Sequence, residues 1–149
     1  MENLIIQEEI LIDRSSAEVW DALVNPDKTP QYMFNCQAVS DWKVGSSLFW
    51  NAEMDGKSIT YVSGMVRAYE PCERLVYTTF DPHADMDDIP ENHVPVTYDL
   101  MEKNGQTLLR VVQGDFAKAA QGRKRYEDTI AGDGWAGILA NIKKVVEDD

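Results

Sequence analysis
Hydrophobic and polar positions alternate from the start of the chain. In LIIQEEILID, residues 4 to 13, Ile6, Glu8, Ile10 and Ile12 share one parity and Ile5, Gln7, Glu9 and Leu11 the other. That is the period of a half-buried strand, and branched side chains favour it. The period changes at DRSSAEVWDALVNPDKTP. There Val19, Trp20 and Leu23 recur at helical spacing, Ser15 or Ser16 can accept from an exposed first-turn amide, and Pro26 stops the pattern. The spacing predicts a helix over 16–24. A second, shorter helix is expected after Pro30, carrying Tyr32, Met33 and Phe34.

Six more strands are predicted: CQAVSDWK, SSLFWNAEM, SITYVSGMVRAYE, RLVYTTF, VPVTYDLME and TLLRVVQG. Short turns (VG, DG, EPCE, KNG) and one long segment, FDPHADMDDIPENHVP at 80–95, separate them. At the end Trp135, Ile138, Leu139, Ile142, Val145 and Val146 recur at helical spacing opposite Asn141, Lys143 and Lys144. This predicts a long amphipathic helix whose start is blurred by Gly132 and Gly134, with Asp133 as a candidate N-cap. The order predicts a two-layer α+β fold in which the C-terminal helix covers one face of a curved seven-stranded antiparallel sheet, with two short helices after the first strand. Residues 1–149 are expected to form a single domain.

Alternation also sorts the faces. Leu109, Val111 and Gln113 should face the helix because Arg110 belongs outside; Val94, Val96, Tyr98 and Leu100 face in, opposite Thr97 and Asp99. The fourth strand offers Val62, Gly64, Val66 and Ala68 and the third Leu48, Trp50 and Ala52, unless a bulge inverts the parity.

Charge narrows the partners. Lys and Arg number 14 against 26 Asp and Glu, a formal charge of -12 that disfavours phosphate backbones and anionic membrane surfaces. The first residues lack a basic segment and a small-residue cleavage pattern, and no apolar run approaches the roughly 20 residues that span a bilayer, so a cytoplasmic protein without membrane insertion is expected. Cys36 and Cys72 have no metal or redox spacing and read as two thiols without chemistry. No cofactor is implied.

The elements and their wording resemble the START-like (SRPBCC, helix-grip) superfamily. Within it the chain is most similar to the heat-shock protein 90 ATPase activator homologue family, through EILIDRSSAEVWDAL, WKVGSSLFW, GMVRAYEPCERLVYT, VTYDLMEKNGQTLLRVVQGDF and DGWAGILANIKKVVE. The resemblance implies an apolar cavity between sheet and terminal helix that binds a small hydrophobic or amphipathic molecule. It leaves open a stress-response or chaperone-associated interaction module, with a homodimer or chaperone contact as partner, and a polyketide cyclase-like enzyme. The eukaryotic activator makes much of its chaperone contact through a separate N-terminal domain, so that role does not transfer on resemblance alone.

The expected ligand-facing set is Glu8, Trp50, Val66, Tyr77, Tyr98, Leu109, Val111, Gln113, Trp135, Ile138, Leu139 and Ile142. Its polar members matter most, because a buried polar group needs a partner. No nucleophile-base or paired-carboxylate pattern is legible, so no catalytic residue is assigned. The long segment invites a metal reading. Counting a calcium loop from Asp85 places Asp87, Ile89, Pro90 and Val96 at its third, fifth, sixth and twelfth positions, and His83 and His93 match neither HxxxH nor HExxH spacing. Topology instead places the segment at the end of the sheet where the chain enters its last helix. The resemblance makes that end the cavity mouth, so His83, Asp85, Asp87, Asp88 and His93 are expected in a portal loop, its acids facing Lys118, Arg123, Lys124 and Arg125 as an electrostatic clasp.

Overall fold
The computed structural model describes residues 4–132 and 134–148. Seven strands form one sheet: β1 (Ile6–Ile12), β2 (Gln37–Ser40), β3 (Ser47–Met54), β4 (Lys57–Glu70), β5 (Arg74–Thr79), β6 (Val94–Lys103) and β7 (Gln106–Gln113). Their order is β1-β7-β6-β5-β4-β3-β2. All neighbours are antiparallel, so the chain meanders from β2 to β7 and closes on β1. Helix α1 (Ser16–Val24) has the predicted bounds, and Ser15 caps it by accepting from the Glu18 amide. The second predicted helix is one 3₁₀ turn, Thr29–Gln31, and Met33 and Phe34 lie beyond it. The chain cannot continue helically because Phe34 and Asn35 both have positive φ, 51° and 64°.

The terminal helix is two helices, α2 (Gly122–Ala131) and α3 (Gly134–Glu147). Gly134 carries the break: its φ is +45°, and a β-carbon there would lie 2.9 Å from the Thr129 carbonyl oxygen. The predicted Asp133 cap lies outside the described residues. Helix α3 buries Trp135, Leu139, Ile142 and Val146 and packs chiefly on β1 and α1.

The sheet is bent where it wraps the helix. Its register shifts between Trp50 and Asn51 on β3, opposite Tyr61, and again between Val66 and Ala68 on β4. Between these bulges β4 and β5 approach closely, since a β-carbon on Gly64 would lie 1.7 Å from the Thr78 carbonyl oxygen. The second bulge overturns the expectation for Ala68. Beyond it Tyr69 pairs with buried Leu75 and packs against Trp20, ring centroids 5.3 Å apart. On β6 and β7 the predicted alternation holds, with Val94, Val96, Tyr98, Leu100, Leu109 and Val111 all buried.

Polar bonds fix the far end of α3. Glu147 accepts from the Asp13 amide at 2.8 Å and from Lys143, Arg14 donates to the Glu147 carbonyl, and Lys143 also reaches the Leu11 carbonyl at 2.8 Å. The Asp13 amide, then Lys143, hold the Glu147 carboxyl below its ordinary range. Its stabilising contribution is therefore full above the unfolded carboxylate pKa and is lost as pH falls through the lowered folded value. Accordingly, Glu147→Gln should lower the melting temperature at pH 7 and flatten the acid side of the stability profile. In the apolar seam, Leu139→Ala should cost about 2–5 kcal/mol by denaturant titration.

Candidate functional site
A cavity of about 640 Å³ opens between the outer half of the sheet and the α2–α3 junction. Strands β3, β4 and β5 supply Trp50, Ala52, Glu53, Met54, Tyr61, Val62 and Tyr77; β7 supplies Gln113; α3 supplies Trp135 and Ile138. Asp128, Thr129, Gly132 and Gly134 line it from the α2–α3 junction, and Met33, Phe34, Asn35 and Cys36 from the turn before β2. Phe34 is 78% and Met54 53% exposed, so the rim carries large apolar side chains in solvent. Pockets that combine an apolar wall with a few placed polar groups suit small-molecule binding.

Of the predicted ligand-facing residues, Trp50, Tyr77, Gln113, Trp135 and Ile138 line this space. Val66, Tyr98, Leu109, Val111, Leu139 and Ile142 are buried in the adjoining core and are not in its wall. Glu8 has the inward parity of β1 but is exposed and also outside the wall. Leu109, Val111, Leu139 and Ile142 fall in the core because α3 packs closely on β1, so that side of the sheet has no gap to line. Sequence reasoning missed Tyr61, because the bulge opposite Trp50 and Asn51 brings it beside Val62 in the wall. It also missed Met33 to Cys36, where no periodic pattern signals a facing direction.

Polar geometry organises the closed side. The indole of Trp135 donates to Gln113 Oε1 at 2.8 Å. An indole N–H can only donate, so this bond fixes the Gln113 amide and leaves its NH₂ as a donor for other partners. Tyr77 and Tyr98 are buried, with ring centroids 6.2 Å apart, and Tyr98 stands edge-on to Trp135 at 5.7 Å. Burial raises the pKa of both hydroxyls, so both stay protonated. Each hydroxyl senses the other, but their approach falls short of hydrogen-bond geometry, and Tyr98 Oη has no partner among the described residues. Burial likewise raises the Cys36 thiol.

The loop at 81–93 does not line the cavity. It does leave the predicted end of the sheet, but it folds onto the outer face, where Pro82, Asp88, Pro90 and His93 border a groove with Phe49, Ser63, Met65 and Thr78. His83 Nε2 meets the Thr60 carbonyl at 2.9 Å. His93 stacks on Phe80 at 4.8 Å and bridges Asp88 and Thr78 Oγ1. The predicted charge clasp is replaced by other bonds. Arg123 and Lys124 pair with Glu127 and Asp128 one turn along α2, and Asp88 pairs with His93. Arg125 donates to the Asn92 carbonyl at 2.8 Å, and burial lowers its pKa. Asn92 completes the dock by accepting from the Ala120 amide at 2.9 Å. Among the described residues, no three His, Cys, Asp or Glu side chains are placed to hold a metal ion, and no helix is long and apolar enough to cross a membrane.

Comparison with known proteins places this geometry. The family model described as activator of Hsp90 ATPase homolog 1-like protein matches residues 13–147. The solution structure of ChR145 from Cytophaga hutchinsonii is 32% identical, aligns over 99% of this chain and 97% of its own, and has a TM-score of 0.74. The solution structure of the Aha1 dimer from Colwellia psychrerythraea is 17% identical over 96% of both chains, with a TM-score of 0.67. CalU16 from Micromonospora echinospora is 19% identical over 97% of this chain and 66% of its own, with a TM-score of 0.66. None of the curated proteins matches the sequence.

The dock of the loop can be tested directly. Removing the Arg125 bond costs about 1 kcal/mol, so Arg125→Ala should speed amide exchange at Asn92 and His93 by roughly fivefold, whereas Lys124→Ala should leave it unchanged.

Proposed function
The chain belongs to the activator of Hsp90 ATPase homolog 1-like family and has the helix-grip fold of its structural relatives, and on that premise we propose that it binds a small hydrophobic or amphipathic molecule without transforming it. The observation that carries this reading is the cavity of about 640 Å³, walled by Trp50, Tyr61, Tyr77, Trp135, Val62 and Ile138. That volume lies within the roughly 300–1,000 Å³ of ordinary small-molecule pockets. Its polar groups suit orientation better than chemistry. Gln113 has no acid-base function, the Tyr77 hydroxyl is held protonated by burial, and the two lining carboxylates, Glu53 and Asp128, are exposed. Trp50, Tyr77, Gln113, Trp135 and Ile138 are the proposed contacts; Tyr98 acts from behind the wall by holding Trp135 edge-on.

A second reading has its own observation. The rim residues Phe34 and Met54 present apolar surface that a protein partner or a second copy would cover, and one structural relative is described as a dimer. Sedimentation equilibrium separates the two: a dimer that dissociates on Phe34→Ser would favour the interaction module.

The binding reading predicts a chain-length series. For hexan-1-ol, octan-1-ol and decan-1-ol, each added pair of methylenes should tighten binding about fifteenfold, from about 0.8 kcal/mol per buried methylene. Cys36 reports the location, because it lines the cavity. In a Cys72→Ser background, saturating decan-1-ol should slow its alkylation by iodoacetamide; saturable binding that leaves the rate unchanged would place the ligand elsewhere.

A further inference from the structure
We infer that the cavity selects a cationic amphiphile, an alkyl ammonium in preference to a carboxylate or sulfate of the same chain; this rests on the binding reading above and adds the charge of the ligand's polar end. The wall is one-sided in charge. Among the described residues lining the cavity there is no lysine, arginine or histidine, whereas Glu53 from β3 and Asp128 from α2 each bring a carboxylate. Glu53 makes no ion pair among the described residues and stands exposed. Asp128 holds Lys124 at 2.9 Å, but both side chains are about two-thirds exposed or more, 65% and 72%. Such a pair contributes only about 0–1 kcal/mol, and an incoming cation can share the carboxylate.

The walls point the same way independently of the acids. Phe34, Trp50, Tyr61, Tyr77 and Trp135 present five aromatic side chains to one space. Ring faces carry negative potential and attract a cation within about 6 Å, most strongly where water is excluded. Donors that could receive an anion are partly committed already. The Trp135 N–H is held by Gln113 Oε1, and the Thr129 hydroxyl donates to the Arg125 carbonyl at 2.8 Å. The net charge of -12 adds a long-range field of the same sign. An alkyl chain in the apolar part with an ammonium at the aromatic and acidic part satisfies all of these features, whereas a carboxylate head meets repulsion at Glu53 and Asp128.

The test uses decylammonium, decan-1-ol and decanoate at pH 7, titrated against the full chain by calorimetry and tryptophan fluorescence. Decylammonium should bind at least about tenfold tighter than decanoate at low salt, with the gap narrowing at about 1 M salt, where the screening length is only about 3 Å. The double variant Glu53→Gln, Asp128→Asn removes just two charges from a net of -12, so non-specific attraction stays nearly whole. In that variant the preference for decylammonium over decanoate should fall to about twofold. If decan-1-ol binds but decylammonium is no tighter than decanoate, or if the double variant keeps the full preference, the charge inference is overturned and the binding reading stands. If none of the three binds, the binding reading itself is overturned, and the charge inference with it.

Discussion
One helix cannot cover seven strands, and the shape of the molecule follows from that mismatch. At about 4.8 Å between neighbours, a flat sheet of the seven strands seen here would be roughly 29 Å wide, against about 10–12 Å for a helix with its side chains. Helix α3 settles on the β1 side, where its buried stripe of Leu139, Ile142 and Val146 joins Leu109, Val111 and Ile12 in one core. The other side must be closed by bending the sheet and by short flanking segments. The two bulges of β4 and the close approach at Gly64 supply the bend, and the turn before β2 supplies the flank. What they leave unfilled is the cavity.

The two ends of α3 are treated differently, and this fixes where the opening lies. Its C-terminal end is tied to the β1–α1 turn by Glu147, Arg14 and Lys143. Among the described residues its N-terminal end meets the sheet through one side-chain bond, Trp135 to Gln113, beside a glycine break. A helix held at one end and hinged by glycine at the other can keep a cavity open without disturbing its packed seam. The unpartnered Tyr98 hydroxyl belongs to the same junction.

The fold was legible because it rests on period and order. The alternation on β6 and β7, the cap at Ser15 and the stripe from Trp135 to Val146 are local signals that the tertiary structure respects. The site was legible only in part. Parity located Trp50 and Gln113, but parity cannot say whether an inward residue meets a helix or a gap, which is why Leu109 and Val111 fall in the core and not in the wall. Tyr61 enters through a bulge, which leaves no mark in sequence. The loop at 81–93 was placed at the correct end of the sheet by counting turns, yet the side on which it folds depends on backbone bonds such as Arg125 to Asn92. Charge composition could not anticipate them.

The central claim is that the space beside α3 receives a ligand, and amide and indole NMR shifts on titration with decan-1-ol test it most directly. The account predicts saturable shifts concentrated at the Trp50 and Trp135 indoles and at the Ala52, Tyr61 and Ile138 amides, with the outer face of the sheet around Phe49 and Met65 unmoved. Shifts confined to that outer face, or no saturable shift at any of the wall residues, would contradict it.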